Sequence, residues 1–234
     1  MERISGEFEF LGAGRYYIAL DLPDRNAVLK FLRPEGPPGT SRKRWRRWLR
    51  RKALRARRIA LAAAADRAFR TLAESKSFTL SNCFPETEIA DDLDVTYEML
   101  GQTLRYSGSA YVQCKVQFFD NHTPLDSFDW EAIAEVQHRL WRMGVGLGSG
   151  AETWGPKNWC HTNDGKTRLA DLSSLSPDLD LVRKRLSNTT RELRRRKLRK
   201  YQPVDCRPQI ERYLAFVSDR LRRESLDQLW RADC

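Results

Sequence analysis

Between Gly39 and Pro85 the chain carries neither glycine nor proline, and from Ser41 to about Ser75 its pattern is helical. A long helix at that place limits what the rest can be, because the residues on both sides of it read as strands. Residues 7–20 (EFEFLGAGRYYIAL) read as two short strands around a glycine turn at Gly12-Ala13-Gly14, and Ala27–Leu32 as a third, closely following strand. The breaker PEGPPG at 34–39 separates these strands from the helix. Beyond Phe84-Pro85, Val95–Met99 and Ala110–Phe119 (AYVQCKVQFF) are again strand-like, with 101–109 as their connection. Strands, a helix, strands and then mostly helix give an α+β chain. The expected division is a sheet lobe with its long helix over residues 1–120 and a helical lobe over 121–234.

The first half of that helix is strongly cationic. Residues 41–58 (SRKRWRRWLRRKALRARR) hold 11 Lys/Arg and no acid, and residues 183–200 hold 10 with the single acid Glu192. The formal net charge of the 234 residues is +11, and removing both runs leaves 21 bases against 30 acids, a net of −9. The excess charge is therefore local, which excludes a uniformly cationic, histone-like surface. Trp45, Trp48 and Leu49 interleave with the arginines at helical spacing, giving a basic amphipathic stripe. Such a stripe suits an anionic membrane surface, a nucleic-acid backbone, or the acidic remainder of the same chain.

Other classes fall away on simple grounds. No run of about 18 apolar residues exists to span a bilayer. The start, MERISGEFEF, fits neither a secretory signal nor an Arg-rich transit peptide. Cys83, Cys114, Cys160, Cys206 and Cys234 are odd in number and scattered, so reduced thiols are expected and not a disulfide frame. Cys160 and His161 are neighbours, but adjacent residues of a strand face opposite ways, which disfavours a metal site.

In the second half, Asp129 is a suitable N-cap for a helix to about Met143, with Ile133, Val136, Leu140 and Trp141 on its apolar face. His138 reads as a packing or capping histidine. Asn163-Asp164-Gly165 between the apolar runs NWCHT and TRLADL marks a tight hairpin. From about Asp178 to Asp233 two or three helices are expected, broken near Pro203 and Pro208. Taken singly, the polar residues here have plain roles: Gly12 to Gly14 as a hairpin turn, Lys30 as a strand lysine, and Asp171 capping a turn with Ser173 and Ser174.

Taken together, their spacing says more. A glycine turn between two strands precedes a strand bearing Lys30, and Pro156 and Asn158 precede a hairpin that ends in Asp171. Phosphoryl transfer needs backbone amides over phosphates, a cation on them, and oxygen ligands for Mg²⁺. The pattern Thr153-Trp-Gly-Pro156-Lys-Asn158, followed by a strand pair and Asp171, resembles the catalytic loop and metal-binding segment of the protein-kinase-like fold. The preceding HRLWRMGV (138–145) resembles the helix end before that loop. The compact first half and the basic insert resemble small bacterial kinase-like proteins of the lipopolysaccharide-core-kinase and YrbL-like groups. The resemblance spans roughly residues 8–175.

The resemblance implies a two-lobed fold, with an N-terminal antiparallel sheet lobe and a reduced C-terminal helical lobe, and ATP and Mg²⁺ as cofactors. Lys30 would hold the α- and β-phosphates, Gly12 to Gly14 would cover them, and Asn158 and Asp171 would ligate magnesium. Asp66, or Glu74 as second choice, would be the helical carboxylate facing the lysine. Thr153 stands where the catalytic Asp belongs, and a threonine hydroxyl is no general base near neutral pH. Glu152 is the adjacent candidate base. Leu172 and Ser173 follow Asp171 where Phe and Gly would be, and no Ala-Pro-Glu motif follows. Two readings stay open: a divergent kinase of a saccharide, lipid-linked or small-molecule acceptor, and a pseudokinase. Either would sit in the bacterial cytoplasm, or peripherally at the inner membrane face. The competing class is a nucleic-acid-binding protein that uses 41–58 and 183–200.

Overall fold

The computed structural model describes residues 4–13, 17–32, 60–99, 101–119, 129–147, 158–192 and 207–234. Gly14, the basic insert 41–58, Glu152, Thr153, Pro156 and the 193–200 part of the second basic run lie outside the described residues. The fold is mixed α+β, and it divides into two compact units: Met1–Ala63 with Glu86–Lys115, and Ala64–Pro85 with Val116–Cys234.

The first unit is a six-stranded sheet of β1 (Ile4–Phe8), β2 (Phe10–Ala13), β3 (Tyr17–Leu22), β4 (Ala27–Leu32), β5 (Thr87–Met99) and β6 (Gln102–Cys114). Its order is β1-β5-β6-β4-β3-β2. Period-two alternation builds the core: Ile18, Leu20 and Leu22 of β3, Ala27, Leu29 and Phe31 of β4, Leu93, Val95 and Tyr97 of β5, and Ala110 and Val112 of β6 all face it. Phe31 stacks on Tyr106 at 4.1 Å and meets the edge of Tyr97 at 5.6 Å. Each large side chain buried in this way contributes about 1.5–3 kcal/mol.

Three expectations need correction. The sheet is not wholly antiparallel, because β1 pairs β5 in parallel, with Ile4 opposite Leu93. The segment expected as a connection, 101–109, is mostly strand: Gly101 turns the chain at φ +72°, and Gln102 to Gly108 pair back onto Leu93–Met99. Its polar residues hid that strand because most of their side chains lie outside the core. Ala110–Phe119 is not one strand either, since β6 ends at Cys114 and Gln117–Phe118 forms β7 in a different sheet.

The second unit takes residues of helix α1 (60–74) from Ala64 onward, with Ala65, Ala68, Phe69 and Leu72 buried and Phe69 edge-on to Phe84 at 5.3 Å. α2 (Trp130–Arg142) buries Ile133, Val136, Leu140 and Trp141, and Asp129 Oδ1 accepts the Ala132 N–H at 2.9 Å as its N-cap. β9 (Trp159–His161) and β10 (Thr167–Leu169) form the hairpin and join β7. β8 (Gly146–Leu147) pairs β11 (Leu175–Ser176). A Cβ on Gly146 would meet both Val182 methyl carbons at 2.7 Å, so β8 approaches α3 (Leu179–Glu192) as only glycine permits. α4 (Arg207–Arg220) and α5 (Arg223–Leu229) complete the unit, and Pro208 starts α4 where a proline lacks no needed donor. Among the described residues no helix is long and apolar enough to cross a membrane.

Candidate functional site

The β9–β10 hairpin forms because its turn is satisfied locally. Thr162 Oγ1 donates to Asp164 Oδ1, the Gly165 N–H reaches the Thr162 carbonyl at 2.8 Å, and Gly165 takes φ +74°. Trp159, Cys160, Leu169 and Ala170 are fully buried, which fixes the register of the pair. At the open end of the hairpin the Asn158 carbonyl accepts the N–H of Ala170 at 2.8 Å and of Asp171 at 3.3 Å. The turn chemistry and the buried ladder thus hold Asn158 and Asp171 side by side along the backbone.

Asp171 also plays the capping part that its neighbours foretold. Its Oδ1 accepts the Ser173 N–H at 3.0 Å, and Ser174 Oγ donates to its carbonyl at 3.0 Å. This cap and a metal-ligating role are compatible, because a carboxylate has several acceptor positions and the cap uses one oxygen. Asn158 is buried, whereas Asp171 is half-buried.

The hairpin has a second anchor that the sequence did not announce. Arg168, 8% exposed, donates through Nε to the Ser81 carbonyl at 2.7 Å, and the Leu169 N–H reaches the Cys83 carbonyl at 2.8 Å. These bonds tie segment 81–83 to β10. Burial pushes the Cys83 thiol up to about 12, against the opposing pull of Arg139 and Arg168, so it is no nucleophile. Cys160 Sγ turns toward the Arg168 carbonyl while the His161 ring meets Phe119 edge-on. Among the described residues no three His, Cys, Asp or Glu gather as a metal cluster. His138 is a packing residue: its Nε2 donates to the Arg220 carbonyl at 2.9 Å.

In the first unit, Lys30 lies on β4 opposite Tyr111 of β6, on the face away from the Leu29–Phe31 core. Its Nζ donates to Gln113 Oε1, and Gln113 Nε2 donates to Thr87 Oγ1 at 3.1 Å. Gln113 is 1% exposed. Its one sequence signal was a polar side chain inside an apolar strand. Gly12 lies in β2 opposite Ala19, and a Cβ there would meet nothing within 4 Å, so packing does not require a glycine at that position. Asp66, in the second unit, accepts from Arg70 Nε at 3.2 Å, one helical turn away on α1. Glu74, the second choice, is exposed.

Compared with protein-family models and with curated proteins, the chain matches none. The donor set therefore has to be judged on its own chemistry. An amide oxygen and a carboxylate fit Mg²⁺, a hard cation that takes one or two protein carboxylates and fills its remaining positions with water and phosphate oxygens.

Proposed function

We propose that this chain is a two-lobed, kinase-like phosphotransferase that binds ATP with Mg²⁺ and acts on a saccharide, lipid-linked or small-molecule acceptor. The observation that carries the reading is the pairing of Asn158 with Asp171 across the open end of a hairpin. In this reading Asn158 and Asp171 hold the magnesium, Lys30 binds the α- and β-phosphates, and the chain at Gly12 and Gly14 covers them. Bound magnesium would neutralise charge on the phosphates. Glu152 takes the acceptor's proton in place of Thr153; if its carboxylate is not so placed, the chain is a pseudokinase that keeps nucleotide binding. Loss of a general base costs about 10²–10⁴ in rate, so even then some turnover remains.

The second reading, nucleic-acid binding, is favoured by the charge of 41–58 and 183–200. Its support is thinner at Arg183, which donates to Asp227 at 2.7 Å and to Asp180 at 3.2 Å within its own unit. Thermal unfolding with MgATP, and separately with oligonucleotides at two salt concentrations, distinguishes the two. A stabilising shift with MgATP that Asp171→Ala abolishes is expected. No shift with any nucleotide, beside salt-sensitive oligonucleotide binding, would overturn the kinase reading. Glu152→Gln should cut turnover by about 10²–10⁴ and keep the MgATP shift, and unchanged turnover rejects Glu152 as base.

A further inference from the structure

We propose that the second unit holds a binding groove for a small zwitterion, a molecule with one acid group and one amine, seated between the Arg142 guanidinium and the Asp233 carboxylate. The proposal does not rest on the nucleotide-binding reading, and its test uses no nucleotide.

α2 builds the groove. Glu131, Glu135, His138, Arg139 and Arg142 recur at intervals that place them on one face of the helix. That face and the segment from Ser77 to Asn82 bound a space of about 560 Å³, and Arg220 at the end of α4 and Asp233 complete its lining. All of these residues belong to the second unit. Phe78, Ala134 and Met143 supply apolar surface against which a ligand's hydrocarbon part can rest.

The charges in the groove sort into two classes. Arg139 Nε donates to Glu135 at 3.0 Å and Arg220 donates to Glu131 at 2.9 Å, so these four side chains neutralise one another in pairs. His138 is engaged as well, through the Arg220 carbonyl. Arg142 and Asp233 differ. The Asp233 N–H donates to the Arg142 carbonyl at 3.1 Å, which holds the two residues together along the backbone. Their side chains nevertheless form no ion pair with each other, and neither has a hydrogen-bond partner among the described residues.

One cation and one anion are thus left unanswered in a groove whose three arginines and three carboxylates sum to zero. A ligand of a single sign answers one of them and is repelled by the other, and a polyanion meets three carboxylates at once. A zwitterion answers both. Its acid takes the planar donor fork of Arg142 and its amine takes the Asp233 carboxylate. The acid is either a carboxylate, as in an amino acid, or a phosphate monoester, as in phosphoethanolamine, since both offer the paired oxygens that a guanidinium binds.

Calorimetric titration of the full chain tests the assignment, with each zwitterion set against its own fragments. For L-leucine these are 4-methylpentanoate and 3-methylbutylamine, and for phosphoethanolamine they are inorganic phosphate and ethanolamine. At least one zwitterion should bind with a dissociation constant on the order of 1 mM, and its fragments should bind more weakly by roughly three- to tenfold. Leucine binding assigns the acid as a carboxylate, and binding of phosphoethanolamine alone assigns it as a phosphate. Arg142→Gln and Asp233→Asn should each weaken the zwitterion by a similar factor and leave the thermal midpoint unchanged, because neither side chain has a partner in the fold. Arg142→Gln should not weaken the amine fragment, nor Asp233→Asn the acid fragment. No binding of either zwitterion up to about 10 mM overturns the proposal, as does a fragment that binds as tightly as its zwitterion. A midpoint lowered in both variants, without zwitterion binding by the unaltered chain, shows that Arg142 and Asp233 serve each other in solution and overturns it equally.

Discussion

Asp164 sits at the tip of the hairpin that spaces Asn158 from Asp171, and its carboxyl is held down to about 2. The hydrogen bond from the Thr162 hydroxyl is the main cause, and the Lys166 side chain and backbone N–H act in the same direction against a smaller desolvation cost. A carboxyl lowered in the folded state stabilises it fully above the usual value of 3.8, and that contribution disappears as the pH falls toward about 2. Thr162→Val removes the leading cause. Carboxyl NMR should then show Asp164 titrating closer to 3.8, and its acid-dependent contribution to the hairpin's stability should shrink accordingly. An Asp164 that still titrates near 2 in this variant would assign the shift to Lys166 instead.

At the scale of elements, what local chemistry dictates was legible and what distant partners dictate was not. The Asp129 cap, the α2 face and the Asn163-Asp164-Gly165 turn each follow from residues within one turn of the chain. Asp129→Ala should therefore destabilise the chain by about 1 kcal/mol, with Asp129→Ser recovering most of it, measured by urea unfolding. An unchanged urea midpoint would mean that the first turn of α2 is held by packing alone. β1 in parallel with β5, and the outer half of β6, could not be read in this way, because their pairing joins residues about 90 positions apart or leaves side chains outside the core. The candidate site divides along the same line. Asn158 and Asp171 were visible because a hairpin of readable length joins them, whereas Gln113 and Arg168 gain their importance from Lys30 and Ser81, each more than 80 residues away.

For the whole molecule, the deciding quantity is where the charge sits. The net charge of +11 belongs to two runs, while the remainder is acidic at −9, so electrostatic attachment to a polyanion should depend on those runs and not on the body of the fold. In the described part of the second run, Arg183 is already committed to Asp180 and Asp227. Residues 41–58, at +11 against +9 for the second run and with no acid among them, are the stronger source of attraction. Each Lys or Arg near an anionic bilayer contributes about 1 kcal/mol, so a run of 11 is a strong electrostatic anchor for such a surface. Replacing its arginines and lysines by glutamine should abolish sedimentation with phosphatidylglycerol-containing vesicles at low salt and leave the MgATP shift unchanged. Binding by the unaltered chain should weaken as salt shortens the screening length. Vesicle binding that survives the replacement would move the attachment elsewhere. Oligonucleotides that displace the unaltered chain from vesicles at equal charge concentration would instead favour nucleic acid as the natural partner of 41–58.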